Sequence, residues 1–277
     1  MKAVTIKKFT KFNLRHGVDV NFNNMINKTK LIHEVRAVKS RKELANIIKA
    51  QKTSELVLRY IIVELRTGIT EVKVANLIKK KFIKLGAPIL AFSPIVAFGK
   101  NTAKIHHEPN KTRLKKGDTI MFDFGCTVNH YCSDMTRTYF WGEPIQKQKK
   151  VYLAVLEAQK RVLKRLNEGE KRTWVIDKVA RGFLARKFKN NFKHGLGHGV
   201  GTVIHEWPNF KPKSEDILPV GCVMTVEPGI YLKGKKTIQS GVRIEDMVFI
   251  TSKGCKNLTS IPKDLKSAIL SKWQKKG

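Results

Sequence analysis

The sequence predicts an α+β domain built from two halves of similar design. Three observations lead to this prediction. Helix-like periodicity gives way to β-branched and aromatic segments, the same order returns after Pro144, and no Pro/Gly/Ser-rich linker separates the two units. We therefore expect one domain with internal pseudo-symmetry, in which a pair of helices backs each half of a curved, mostly antiparallel sheet.

The first half begins with two predicted helices. Ser40 and Glu43 fit a capping box, and apolar residues at helical spacing continue to about residue 66. Thr70 can cap the second helix, which Gly86 closes. Three strand-like segments with Gly at their ends follow: FSPIVAFG, DTIMFDFG and YCSDMTRTYFWG.

The second half repeats this order. One helix is predicted from about residue 147 to residue 167, and Thr173 can cap another that ends near residue 187. The strand-like segments of this half are GTVIHEW, CVMTVEPGIYL and GVRIEDMVFIT. Residues 1–38 are basic and weakly periodic, so we interpret them as a short lead-in to a catalytic domain at residues 39–277.

Charge is the unusual feature of the composition. Lys and Arg number 55 against 22 acidic residues, which gives a net charge of +33. Such an excess is typical of proteins that contact a polyanion, here nucleic acid or a ribosome. However, only 13 of the 55 are Arg, and the Lys are spread along the whole chain. A general bias toward Lys therefore stays open as the other interpretation.

The sequence gives no sign of secretion or of a membrane anchor. The four Cys form no C-x-x-C pair and are too few for a disulfide framework. The N-terminus lacks the apolar core of a signal peptide, and no stretch approaches 18 apolar residues. We therefore expect a cytoplasmic protein without membrane contact.

Two pairs of acidic residues stand in apolar strand segments. A turn at Val128–Asn129 would place Asp123 opposite Asp134, and a hairpin turning about residues 234–236 would place Glu227 opposite Glu245. Facing carboxylates repel each other at about 4.5–5.5 Å between Cβ atoms, so each pair needs a cation or a shared proton.

Two explanations account for these pairs. Arg137 and Arg243 lie near them in the sequence, and a pure ion-pair network is the structural explanation. The functional explanation is a metal centre, because five of the eight His fall in three short segments flanked by Gly or Pro, namely IHHEP, HGLGHGVG and IHEWP. Carboxylates with imidazole suit divalent ions, and two such ions about 3.5–4 Å apart activate water and polarise a carbonyl in aminopeptidases.

Five segments in order resemble the Xaa-Pro aminopeptidase and prolidase group of dinuclear metallopeptidases. They are SDMTRT, HGLGHGVG, IHEWP, TVEPGIY and GVRIED, and the resemblance covers roughly residues 36–265. It implies the pita-bread fold, which methionine aminopeptidase shares and which agrees with two pseudo-symmetric halves. It also implies an enzyme that hydrolyses the first bond of short peptides, with a preference for Xaa-Pro bonds.

The resemblance assigns a role to each matching residue. The ligands of two divalent ions would be Asp123, Asp134, His198, Glu227 and Glu245. Glu227 would also transfer protons, and His106 and His205 would act in catalysis at the leaving group and the scissile carbonyl. His194 and Arg243 would support the substrate site. Mn²⁺ is the expected metal because the ligand set is rich in oxygen, with Co²⁺, Zn²⁺ and Fe²⁺ as alternatives.

The sequence departs from the family pattern in two places. Ile105 stands where the family has Pro before the first catalytic His. The family's separate N-terminal domain, which helps to form its dimer, is replaced here by the lead-in. The oligomeric state and the strictness of the Xaa-Pro preference therefore stay open.

Two other functions remain as alternatives. A methionine aminopeptidase would use the same ligands, although its usual Cys-His-Gly segment is absent and IHHEP takes its place. A pseudo-peptidase that only binds RNA or ribosomes would explain the net charge of +33, although it would not need five matching ligands.

Overall fold

The computed structural model describes residues 31–233 and 239–270. A short helix covers residues 31–37 and leads into the first half of the domain. The elements of that half are α1 (Arg41–Glu64), α2 (Glu71–Lys84), β1 (Ile95–Phe98), β2 (Thr119–Asp123), β3 (Thr127–Val128), β4 (Tyr131–Cys132) and β5 (Thr136–Phe140). The capping box at Ser40 and the cap at Thr70 are both confirmed.

The second half repeats two helices followed by strands. Its elements are α3 (Gln146–Asn167), α4 (Thr173–Phe188), β6 (Gly197–Gly199), β7 (Glu206–Phe210), β8 (Val223–Val226), β9 (Gly229–Leu232), β10 (Ser240–Arg243), β11 (Asp246–Thr251), β12 (Gly254–Asn257) and α5 (Leu265–Ala268). The predicted order of helix, helix and strands in each half is therefore confirmed.

Antiparallel pairing connects the strands throughout the described residues. The first half forms a sheet in the order β1-β2-β5, and the second forms β12-β11-β8-β6-β7, with two-stranded ribbons β3-β4 and β9-β10. The halves meet where the backbone N–H of Glu245 donates to the carbonyl of Thr136 at 3.1 Å. Arg243 N also donates to Thr138 Oγ1 at 3.1 Å, so β10 lies against β5.

Two local predictions in the second half are wrong. Arg172, not Thr173, is the N-cap of α4, because the amide and hydroxyl of Thr173 both donate to the carbonyl of Asp216. The segment 201–207 is not a strand before Glu206, because the amides of Thr202 and Val203 donate to the Glu206 carboxylate instead of to a neighbouring strand.

Sequence periodicity missed the strands β6 and β12 of the second half, and β6 is the one that carries a predicted site residue, His198. The glycines of β6 leave no alternation of apolar and polar side chains that would predict a strand. The same glycines allow this strand to pack closely against its neighbour. A Cβ at Gly197 would lie 2.1 Å from the carbonyl oxygen of Thr225, so only Gly lets this strand approach β8. No helix among the described residues has the length and apolar character needed to cross a bilayer.

A buried guanidinium ties the two halves together near their junction. Arg137 on β5 is 1% exposed, and its NH2 group donates to Asp246 Oδ1 at 2.7 Å and to the Ile261 carbonyl at 2.8 Å. Its NH1 group donates to the backbone oxygen of Glu245. Burial raises the pKa of Asp246, but the charges of Arg137 and Lys263 outweigh it and hold that pKa below its usual value.

We predict that Arg137→Met lowers the free energy of unfolding by about 3–5 kcal/mol, because it removes one partner of a buried ion pair. Arg161→Met is the matched control, since Arg161 pairs with Glu157 on the exposed face of α3. That change should cost about 0.5 kcal/mol or less. Urea denaturation of both variants measures the difference, and equal losses would contradict this role for Arg137.

Candidate active site

The first pair of acidic residues lies at the end of β2 and just before β5. The pairing sets Asp123 opposite Thr136, so the prediction that Asp123 faces Asp134 is wrong by two residues. The turn is centred on Asn129 and His130, whose φ angles are 47° and 68°, one residue later than predicted. Both carboxylates are nevertheless buried in the wall of one cavity.

The second pair follows the predicted register. On one side β8 and β11 pair Val226 with Asp246, and on the other β9 and β10 pair Gly229 with Arg243. Glu227 and Glu245 therefore lie opposite each other between these ladders. The turn itself, predicted about residues 234–236, lies outside the described residues.

His198 brings an imidazole to these carboxylates from β6. Its Nε2 atom lies 3.6 Å from Asp134 Oδ2 and 3.5 Å from Glu227 Oε1. Its Nδ1 atom lies 3.1 Å from the carbonyl of Gly199, so Nδ1–H donates there and the Nε2 lone pair faces the carboxylates. Ligand atoms of Asp134, His198 and Glu245 all lie within 4.8 Å of one another.

The carboxylates hold more negative charge than their neighbours neutralise. Arg243 contacts Asp123, whereas Arg137 pairs with Asp246 outside the centre. Among the described residues, Asp123 Oδ1 and Glu245 Oε1 are buried without a hydrogen-bond partner. Buried polar atoms normally have partners, so an ion-pair network alone leaves this centre unsatisfied. The donor set and the two orphan oxygens fit divalent metal ions.

The excess of negative charge also raises the pKa values of carboxyl groups in this centre. Burial raises the pKa of Asp134 and of Glu227 well above their usual values, and the charge of Glu245 raises both further. Burial and the charge of Asp123 raise the pKa of Glu245 to about 8. Without a cation, Glu245 therefore holds its proton near neutral pH.

A cavity of about 610 Å³ opens above the carboxylates, and the other predicted His line it. The ring of His205 lies 4.3 Å from that of His198, and His106 is exposed on the wall. His194 Nδ1 lies 3.8 Å from Glu227 Oε2. All nine predicted site residues therefore lie around this one cavity: His106, Asp123, Asp134, His194, His198, His205, Glu227, Arg243 and Glu245.

Burial keeps the imidazoles of His194, His198 and His205 neutral. It lowers the pKa of His194 to about 3, helped by the charge of Arg243, and that of His198 to about 4. It also lowers the pKa of His205, with a further contribution from His106. At neutral pH these rings can bind a metal through a lone pair or donate one N–H group.

Several residues that support the site were not found from the sequence. Tyr231 receives a hydrogen bond from Arg243 at 2.7 Å, so its own hydroxyl donates to His194 Nε2 at 2.9 Å. Thr136 donates to Glu245 Oε2 at 2.7 Å. Tyr231 follows Glu227 by four residues within the segment CVMTVEPGIYL, which the sequence predicted to be strand-like, and this even spacing is the signal that could have found it.

A buried carboxylate holds the loop that carries His106. Glu71 at the start of α2 is fully buried, and its Oε2 atom lies 2.8 Å from His107 Nε2. The same atom accepts the amide of Asn110 at 3.1 Å. The loop thus has an anchor of its own where Ile105 replaces the Pro of the family.

Known proteins are similar to this chain in both sequence and fold. It is 35% identical to an uncharacterised peptidase of Staphylococcus aureus over 248 residues, which cover 89% of this chain and 69% of that protein. It is 37% identical to a Xaa-Pro dipeptidase of Pyrococcus horikoshii over 236 residues, 85% of this chain and 66% of the relative.

The fold comparison and the family comparison agree. The crystal structure of an X-Pro aminopeptidase from Thermotoga maritima matches with a TM-score of 0.80 and 34% identity, covering 88% of this chain and 72% of that one. The metallopeptidase family M24 matches residues 45–252, a range that holds all nine residues around the cavity. The crowded carboxylates and imidazoles thus lie within the matched region, and the chain belongs to metallopeptidase family M24.

Proposed function

We propose that this protein is a metal-dependent exopeptidase that removes the N-terminal residue of short peptides at Xaa-Pro bonds. The observation that carries the proposal is the pair of orphan carboxylate oxygens, on Asp123 and Glu245, at a cavity lined by imidazoles. The names of the P. horikoshii and T. maritima relatives, a Xaa-Pro dipeptidase and an X-Pro aminopeptidase, support the same substrate class.

The metal centre is proposed to hold two divalent ions. The ligands would be Asp123, Asp134, His198, Glu227 and Glu245, and the oxygen-rich set favours Mn²⁺ over Co²⁺, Zn²⁺ and Fe²⁺. When bound, the ions supply Lewis-acid polarisation of the scissile carbonyl and activation of the attacking water. The catalytic domain is proposed to span residues 39–277 in a cytoplasmic protein.

Proton transfer falls to Glu227. Its carboxylate lies within 3.8 Å of both His194 and His198 at the cavity, where it can accept a proton from water and return it to the leaving nitrogen. His205 is neutral and faces the cavity, so its N–H group can stabilise the oxyanion of the tetrahedral intermediate. His106 lies on the wall where it can contact the leaving group.

Substrate orientation follows from the charges around the cavity. The free α-amino group of a peptide would bind at the end of the cavity where the metal ligands lie, as exopeptidase action requires. Arg243 is engaged with Asp123 and Tyr231, so it orders ligands instead of binding substrate. Among the described lining residues, Lys211 is the other Lys or Arg.

A substrate panel tests this function against its alternatives. Xaa-Pro dipeptides, Xaa-Pro-x tripeptides and Met-Ala-x peptides should be assayed with Mn²⁺, Co²⁺ or Zn²⁺. We expect metal-dependent cleavage of the Xaa-Pro peptides. Preferential cleavage of Met-Ala-x would establish the methionine-type alternative, and salt-sensitive RNA binding without metal or activity would establish the pseudo-peptidase.

We predict that Asp134→Asn and Glu245→Gln each lower kcat/KM more than about 100-fold, because each removes a charged ligand of the metals. Metal content by elemental analysis should fall, while far-UV circular dichroism stays unchanged. Glu108→Gln is the matched control: it removes an exposed carboxyl from the cavity mouth and should change kcat/KM less than about threefold. Near-normal turnover by either ligand variant would refute the dinuclear site.

We predict that His205→Ala lowers kcat about 10²–10³-fold, the usual cost of losing an oxyanion donor. Metal content should stay unchanged, because His205 donates to substrate. The comparison is His198→Ala, which should lose metal. If both variants lose metal to the same degree, the roles assigned to the two His are wrong.

We predict that the metal-free protein becomes less stable as pH rises from 6.5 to 8. Glu245 keeps its proton in the folded state up to about pH 8, whereas the unfolded chain releases it near its usual pKa. His194 and His198, whose folded pKa values are about 3 and 4, are neutral in the folded state but about half protonated in the unfolded chain at pH 6.5. They therefore offset part of the fall, and the larger pKa shift of Glu245 decides its direction.

Urea midpoints at pH 6.5 and pH 8, with EDTA or with excess Mn²⁺, measure this effect. Mn²⁺ should abolish the fall, and Glu245→Gln should reduce it in the metal-free protein. A midpoint that rises with pH under EDTA would contradict the raised proton affinity of the centre.

A further inference from the structure

Glu206, the residue after His205, is the focus of a buried cluster of donors. It begins β7, and its side chain is 4% exposed. Its Oε1 atom accepts from Arg36 NH2 at 2.6 Å and from the amide of Thr202 at 2.9 Å. Its Oε2 atom accepts from Lys39 Nζ at 2.7 Å. One carboxylate thus joins the segment before α1 to the loop that precedes β7.

This loop connects the proposed metal ligand His198 to His205. Residues 201–205 form bends without strand pairing, and the amide of Val203 also donates to Glu206 Oε1 at 3.3 Å. A Cβ at Gly201 would lie 2.2 Å from Glu206 Oε2, so the loop folds tightly around the carboxylate. The position of His205 therefore depends on where the Glu206 side chain is held.

Two basic side chains that lie far from Glu206 in the sequence, those of Lys39 and Arg36, hold the Glu206 carboxylate in place. Lys39 is 3% exposed at its side chain, and its Nζ also donates to the carbonyl of Arg36 at 2.7 Å. The amide of Lys39 donates to the carbonyl of Gly221 at 2.8 Å, which fixes its backbone against the second half. Burial alone would raise the pKa of Glu206, but Lys39 and Arg36 keep it below its usual value.

A buried ion pair of this kind adds little net stability, because desolvation offsets most of the attraction. It does fix the orientation of the Glu206 carboxylate, because each donor binds a particular carboxylate oxygen. The amides of Thr202 and Val203 donate to the same Oε1 atom as Arg36. The orientation of the Glu206 carboxylate therefore determines where this loop lies. The arrangement therefore suits a residue that must be placed accurately, and His205 is that residue.

We propose that Lys39 and Arg36 are positioning residues, which act through Glu206 to hold His205 at the wall of the cavity. This inference rests on the proposed function of His205 in hydrolysis. It extends the catalytic machinery to Lys39, the first residue of the predicted catalytic domain, and to Arg36, within the segment that the sequence suggested was only a lead-in.

The test is a double-mutant cycle between Lys39→Met and His205→Ala. Lys39→Met alone should lower kcat about 10–100-fold with little change in KM or metal content, because a misplacement of about 1 Å can cost about 100-fold. In the His205→Ala background, the same change should lower kcat less than about threefold. Lys39→Arg should recover most of the activity, and Lys42→Met, an exposed change on α1, should have no effect.

Other results would overturn the proposal. Equal losses of kcat in both backgrounds would show that Lys39 does not act through His205, and a loss of metal would show a general disturbance of the site. If Lys39→Met does not fold, Arg36→Met replaces it in the cycle, since that side chain is 42% exposed and its loss leaves no buried gap. The same pattern of kcat values is then required.

A measurement without substrate separates this inference from the proposed function. In protein labelled with ¹⁵N-histidine, the ring signals of His205 are identified by their loss in His205→Ala. Lys39→Met should shift or broaden these signals and leave those of His107 unchanged. An unperturbed His205 ring would refute the positioning role of Lys39 even in an active enzyme, and a perturbed ring in a protein that cleaves no peptide would refute only the proposed function.

Discussion

Repulsion among carboxylates is the constraint around which the site is built. Asp123, Asp134, Glu227 and Glu245 converge at one cavity with their side chains largely buried. Arg243 is the guanidinium in contact with them, so at neutral pH the remaining charge must be met by protons or by metal ions. A centre that is unfavourable when empty binds a cation strongly, because the cation removes both the repulsion and the desolvation cost.

The fold supplies this convergence through strand pairing in both halves. A ladder holds a carboxylate in place more firmly than a loop, since each neighbouring residue is bonded to the next strand. Glu227 and Glu245 gain most from this arrangement, because strands pair on both sides of them. The bond between the amide of Glu245 and the carbonyl of Thr136 then brings the second pair to the first. The metal centre is thus assembled at the junction of the halves, where Arg137 also lies.

The sequence predicts features that depend on local spacing and misses those that depend on distant partners. The predicted register of Glu227 and Glu245 is correct because paired strands of matching register lie on both sides of them. The predicted register of Asp123 is wrong because the turn lies at Asn129 and His130, one residue later than expected. The segment 201–207 has the β-branched pattern of a strand, yet the Glu206 carboxylate captures its amides.

The contact between Lys39 and Glu206 spans 167 positions, and no local pattern encodes it. A single Lys in a chain with 55 basic residues carries no signal of its own, so only the folded chain distinguishes it from its neighbours. The role of the segment before α1 was underestimated for this reason.

The Lys residues of this chain are distributed unevenly between the cavity and the rest of the described structure. Some basic residues have defined roles inside the fold: Lys39 contacts Glu206, and Lys263 contacts Asp246. The cavity is different, because among its described lining residues Lys211 is the one Lys. Exposed charges farther than about 8–10 Å from a substrate are screened at physiological salt. A contact with a polyanion would therefore use surfaces away from this cavity.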